Sequence, residues 1–328
     1  MKLYTTLLAS ATAATVLSLS VAMPALAEIP ETTIQIAHVY NPGNIWYETA
    51  DNFAKGIEAA TDGKVTVNIA PGGTTGTWQE AIEALQIGTN NVVLESIGTL
   101  DRYDPLPGIE AFPYLIRDLD HFKKVYYGDM GGELADAIEQ RTGFKIVGAG
   151  YRGARKLSAN TKVEKPEDLK GLKLRVPPLK MYRRTWELLG ASPVPMPALE
   201  IYTALQQGVI DGQENPLEVI YTFKWYEHQP YVMNTDHVIG AMTFIFDANW
   251  FNSQPEELQA ILVEQGEKAM LWATDQMIAK EDEYAKLLEE NGVEIVTPDM
   301  EAFRAVVAPI QDEFPELKEW VERINAVQ

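Results

Sequence analysis

Thr33-Ile34-Gln35-Ile36-Ala37-His38-Val39 alternates with the two-residue period of a β-strand. Asn44 then opens a stretch to Ala60 in which Ala50, Phe53, Ile57 and Ala60 recur at helix spacing, and Asp62-Gly63 stops it. Lys64 to Ala70 reads as the next strand, with Val65, Val67 and Ile69 on one face. Thr77 to Ile87 is helical and ends at Gly88; Val92-Val93-Leu94 is a buried strand. This βαβαβ order predicts a mostly parallel sheet with helices on both faces.

The theme restarts downstream. Phe144-Lys145-Ile146-Val147 and Leu172-Lys173-Leu174-Arg175-Val176 read as strands, and Lys180 to Leu189 and Leu199 to Gln207 as helices. Pro255 to Glu290 is one long helical pattern broken only by Gly266, long enough to run past more than one domain. The expected fold class is α/β. Two lobes, each a mixed, mostly parallel sheet flanked by helices, share a long crossing helix and leave a cleft between them. The division predicted is residues 28–152 with 241–279 for one lobe, and residues 153–240 with 280–328 for the other.

Residues 1–27 are set apart as a signal peptide. Lys2 gives a positive start, Leu7 to Met23 carries no charge, and Ala25-Leu26-Ala27 is the small-x-small pattern of a cleavage site. Cleavage after Ala27 predicts export to the periplasm. The absence of cysteine excludes a lipid-anchored N-terminus, disulfides and thiolate chemistry. Loss of Lys2 leaves 26 basic against 47 acidic residues, a net charge of −21. Such a balance argues against nucleic acid and against an anionic membrane surface as partners.

Several patterns resemble catalytic motifs without their context. Gly148-Ala149-Gly150-Tyr151-Arg152-Gly153 matches GxGxxG, but the residues after it carry no helical stripe and reach Pro166, so no helix N-terminus is offered to a pyrophosphate. Its glycines are read as marking a crossing between lobes. His38, His121, His228 and His237 have no metal-ligand spacing, and neither metal nor cofactor is expected. His121 falls in a charged helical stretch and is read as solvated. His38 ends the first strand, which suits either a ligand contact or a structural hydrogen bond.

Arg155 follows a strand, and Arg175 lies within an otherwise apolar one, Gly171-Leu172-Lys173-Leu174-Arg175-Val176-Pro177. Guanidinium is planar, permanently charged and able to donate two parallel hydrogen bonds to a carboxylate. Lys173 shares the face of Arg175, so this arginine reads equally as an anchor or as a solvated edge residue.

That run, with Gly190-Ala191-Ser192-Pro193-Val194-Pro195-Met196, Tyr202-Thr203-Ala204-Leu205-Gln206-Gln207-Gly208 and Asp211-Gly212-Gln213-Glu214-Asn215-Pro216, resembles the solute-binding proteins of tripartite ATP-independent periplasmic (TRAP) transporters, of the dicarboxylate/sialic-acid type. Ala84 to Gly88 and Phe112 to Asp118 extend the similarity over the mature chain. The resemblance implies a two-lobed periplasmic binding protein fold and a non-enzymatic role: capture of a small organic acid by hinge closure and delivery to membrane permease subunits. It also implies residue roles. Arg175 matches the anchoring arginine, Arg155 an assisting one, and Asn215 an asparagine that bonds the same carboxylate, with Gln213 beside it. Glu95 matches an acidic residue that accepts from ligand hydroxyl or amino groups. Trp46 and Trp78 fall where ligand-covering side chains occur, and ordinary packing is their other reading. Ile97-Gly98 and Ala198 stand where sialic-acid binders carry an arginine and a phenylalanine, which favours a sugar acid or hydroxy acid. A monomer is expected. The rival readings are an exported enzyme of sugar acids with Glu95 as base, and a ligand-binding partner of a sensor.

Overall fold

The computed structural model describes residues 29–328; residues 1–27, read as a signal peptide, lie outside them. The described residues form β1 (Thr32–Ala37), β2 (Val65–Ala70), β3 (Val92–Ser96), β4 (Phe144–Ala154), β5 (Lys156–Ala159), β6 (Lys173–Val176), β7 (Ser192–Pro195), β8 (Gly212–Asn215), β9 (Tyr231–Met233), β10 (Ile239–Asp247) and β11 (Glu294–Val296). These pair into two sheets, β2-β1-β3-β10-β4 and β11-β9-β5-β8-β6-β7. Each is mixed for the same reason. The βα units give parallel pairs, β1 with β2 and β3, and β6 with β7 and β8. Strands that connect the lobes run the other way: β10 is antiparallel to β3 and β4, and β5 to β8 and β9.

Helix starts follow the capping chemistry of the sequence. Asn44 caps the helix Ile45–Ala60 by accepting from the Trp46 backbone N–H, and Thr77 with Glu80 closes a capping box on Trp78–Gln86. The strand expected at Phe144–Val147 instead continues for 11 residues as β4. Only Arg155 separates β4 from β5, and its backbone N–H donates to Val238 O at 2.8 Å. The outward and returning connections between the lobes therefore lie side by side.

The glycines of β4 have two separate jobs. Against β10 the ladder slips twice, once between the pairs Ile239–Ala154 and Ala241–Tyr151 and once between Met242–Gly150 and Phe244–Val147. Each slip holds one glycine in the left-handed region, Gly153 (φ 81°) and Gly148 (φ 71°), as glycine bulges require. The second job is close approach. The helix Glu256–Glu290 runs unbroken through Gly266, contrary to the interruption expected there, and packs on β4, on Ile45–Ala60 and on Leu217–Thr222. A Cβ on Gly266 would lie 2.5 Å from Val147 Cγ1, and one on Gly148 would lie 3.0 Å from Gly266 O.

Two further readings need correction. His121 is buried, not solvated: its Nδ1 accepts from Arg117 N at 3.2 Å and its Nε2 faces Ile324 O at 3.1 Å. The helix Lys318–Ala326 is thereby held on the first lobe, where Arg323 also pairs with Glu133, although its sequence position had put it with the second.

Replacing Gly266 by leucine is expected to lower stability by about 1–3 kcal/mol in urea unfolding, because the crossing leaves no room for a side chain. An exposed helical glycine would gain ~1 kcal/mol from a better helix former, so unchanged or raised stability would contradict the crossing.

Candidate functional site

Side chains from both lobes converge on a cleft whose lining includes Glu95, Arg152, Arg155, Arg175, Trp78 and Asn215. A larger hollow lies on the first lobe beside Leu134, Gly148 and Leu271. The smaller one concentrates buried charge, and the chemistry follows the charge.

Arg175 stands on β6 and is 2% exposed, which removes the solvated-edge reading. Its Nε donates to Met196 O at 2.9 Å, fixing the guanidinium plane. Its Nη groups have no protein acceptor among the described residues. Burial pushes this guanidinium down to about 9, opposed by Glu214 and reinforced by the neighbouring Arg155 and Arg152, so it stays charged at neutral pH. A buried cation of this kind favours an incoming carboxylate strongly.

Arg155 also lines the cleft, but the protein already uses most of its donors. Nε donates to Glu214 Oε2 at 2.5 Å, and Nη2 donates to Glu214 Oε1 and to Glu214 O, both at 2.7 Å. The guanidinium lies over the Tyr182 ring at 4.9 Å. On the far side, His237 Nε2 meets Glu214 Oε2 at 2.9 Å, and His237 Nδ1 meets Thr235 Oγ1 at 2.9 Å. Burial alone would raise the Glu214 carboxyl; Arg155 and His237 bring it down to about 2.

Asn215 ends β8 in the cleft, and Gln213 lies behind it. Gln213 Oε1 accepts from Asn215 Nδ2 at 2.8 Å while Gln213 Nε2 donates to Ser158 Oγ at 2.7 Å. Gln213 is thus fully buried and sets the Asn215 amide without lining the cleft. From the first lobe, Glu95 stands one residue before the end of β3 and accepts from Ser96 N at 3.0 Å; burial raises its carboxyl, with Arg152 opposing.

The two tryptophans separate. Trp78 lines the cleft, whereas Trp46 is wholly buried against Gly150, whose Cβ would come 3.1 Å from the Trp46 ring. Trp46 therefore takes its packing reading. His38 makes the structural hydrogen bond of its other reading: its Nδ1 accepts from Tyr40 N at 3.2 Å, it does not line the cleft, and burial drops it to about 4.

Sequence reasoning missed Arg152 and Tyr40. Arg152 sits in the bulge beside Gly153, and a bulge re-aims a side chain in a way that strand alternation does not predict. Its Nη2 donates to Tyr40 OH at 3.2 Å, and its Nη1 lies 4.0 Å from Glu95 Oε1. The rims of the two lobes also touch. Asn44 Nδ2 donates to Thr222 Oγ1 at 3.0 Å, Lys180 N donates to Asp101 Oδ2 at 3.2 Å, and Leu199 covers Gly73. The lobes are closed on the cleft.

A family model described as bacterial extracellular solute-binding protein, family 7, matches residues 36–317. The C4-dicarboxylate-binding periplasmic protein DctP of Rhodobacter capsulatus is 31% identical over 318 residues, 92% of each chain. Among solved structures, a TRAP periplasmic solute-binding protein of Roseobacter denitrificans OCh 114 with bound L-galactonate superposes with a TM-score of 0.85 at 29% identity, covering 90% of this chain and 99% of that one. Another, from Polaromonas sp. JS666 and bound to D-erythronate, gives a TM-score of 0.86 at 28% identity over 91% and 99% of the two chains.

Two stability effects follow. Glu214→Ala strands Arg155 as a buried unpaired charge and is expected to cost about 3–5 kcal/mol in urea unfolding without ligand, against a smaller loss for Glu214→Gln. His38 is neutral when folded, so the unfolded chain takes up the proton first. Its contribution is complete above pH 6.5 and is lost as pH falls towards 4, about 3 kcal/mol in all. Stability measured from pH 7 to 4 in His38→Gln should fall less steeply than in the unsubstituted protein.

Proposed function

The chain belongs to the bacterial extracellular solute-binding proteins of family 7, and from that membership we propose that it captures a small hydroxylated carboxylate, a sugar acid or hydroxy acid, and delivers it to the membrane subunits of a TRAP transporter. The observation that carries this reading is Arg175, a buried guanidinium held by Met196 O with its terminal donors unclaimed by protein. Asn215 supplies a second donor to the same carboxylate, and Arg155, fixed by Glu214, lends a lateral positive field. Glu95 and Trp78 belong to the other side of the cleft and suit a hydroxylated tail. The L-galactonate of the Roseobacter relative and the D-erythronate of the Polaromonas relative have this one-ended character.

Binding couples to closure. The acid docks on the second lobe, and the first lobe then brings Glu95 over it and expels water, which strengthens the ion pair. The role is capture without turnover. Residues 1–27 are removed after Ala27, leaving the mature protein in the periplasm. Among the described residues no helix is long and apolar enough to cross a membrane.

A thermal-shift and calorimetric panel of aldonates, uronates, dicarboxylates and matched neutral sugars tests the reading. Binding confined to acids, with Arg175→Ala weakening it by about 2–5 kcal/mol, is the expected result. Full affinity in Arg175→Ala, or affinity for neutral sugars alone, would make the arginine structural.

A further inference from the structure

We infer that Arg152, held against Glu95, is a specificity-determining residue that admits acids with one carboxylate and a hydroxylated tail and rejects their dicarboxylate counterparts. The inference rests on the carboxylate reading and adds to it what the far end of the ligand must be. Three guanidiniums line one small cleft, and the protein has committed them differently. Arg155 gives three hydrogen bonds to Glu214. Arg152 faces Glu95 at 4.0 Å and bonds Tyr40 OH. Arg175 bonds a neutral carbonyl, and its charge faces no carboxylate at bonding distance. The cleft therefore holds one unmatched cation, which matches one ligand carboxylate.

The pairing of Arg152 with Glu95 is loose in an informative way. At 4.0 Å it is at the limit of an ion pair, and Arg152 Nε is buried with no partner. Buried polar groups are normally satisfied. Glu95 accepts from Ser96 N and keeps further acceptor capacity. A hydroxyl meets both demands together, because it donates to Glu95 while its oxygen accepts from Arg152. A carboxylate meets only one. It has no proton to give Glu95, it competes with Glu95 for Arg152, and it sets two like charges together in a closed cleft. Two further buried acids, Glu110 and Glu218, feel the charge of Arg152 from behind; Glu110 accepts from Gly98 N at 2.7 Å, and neither lines the cleft, so Glu95 is the acid that a ligand tail meets.

The test uses matched pairs that differ only in the terminal group: L-galactonate against galactarate, and D-erythronate against meso-tartrate. Calorimetry on the unsubstituted mature protein should find at least one aldonate bound about a hundredfold or more tighter than its dicarboxylate partner, the discrimination expected when a buried hydrogen-bonding site loses its hydroxyl. Arg152→Gln and Glu95→Gln, each checked for an unchanged circular dichroism spectrum, should narrow that ratio by about tenfold or more. Dicarboxylates binding as tightly as their aldonates would overturn the inference without any variant, and so would a ratio unchanged in both folded variants. Either result leaves Arg175 as the anchor, since acids still bind. Binding of no acid in the panel would overturn the carboxylate reading itself, and this inference with it.

Discussion

A carboxylate with no exposed surface survives as an anion only if donors replace the water it has lost. Glu214 meets that condition from two directions, and both directions are connections between the lobes. Arg155 occupies the single position between β4 and β5; His237 lies just ahead of β10, on the returning connection. Glu214 itself belongs to β8, paired with β5 in the second sheet. One buried triad thus ties both crossing segments to the second lobe. An ion network of this kind contributes little net stability compared with an apolar cluster of the same volume. What it gives is position, because none of the three groups can leave without stranding another.

The ligand chemistry depends on that position. Arg155 lines the cleft, but its donors hold the crossing together, so its influence on a bound acid is mainly electrostatic. Arg175, one strand away on β6, is relieved of structural duty except through its Nε. Gln213 divides the labour again by orienting Asn215 from behind. On the proposed reading the second lobe offers a preformed carboxylate end, while the first lobe offers Glu95, Arg152 and Trp78, which would meet the acid only when the lobes close.

Local patterns in the sequence were sufficient for some of the elements. Period, caps and stop signals located the βαβαβ start and the helix Glu256–Glu290 because each depends on residues close in the chain. The pairing of strands was less legible, since β10 joins a sheet whose other strands come from the first half of the chain. The same distinction runs through the site. Arg175 and Asn215 lie in motifs, and both line the cleft. Trp46 and Gln213 sit in equally suggestive places, yet their surroundings come from distant segments, Gly150 and Ser158, which pack the one and aim the other at the Asn215 amide. Arg152 went unnoticed inside a glycine pattern that resembled a nucleotide loop. Two bulges explain that pattern, and no local periodicity announces a bulge. His121 misled for a related reason: its partner is Ile324, 203 residues away.

The rim contacts bear on time rather than affinity. Asn44 with Thr222, and Asp101 with the Lys180 backbone, join the lobes without lining the cleft. An acid held inside cannot escape faster than these edges part, so its residence time is governed by groups that need not touch it. A membrane partner that grips both lobes could prise the edges apart and set the rate of discharge directly, leaving the pocket chemistry as it was.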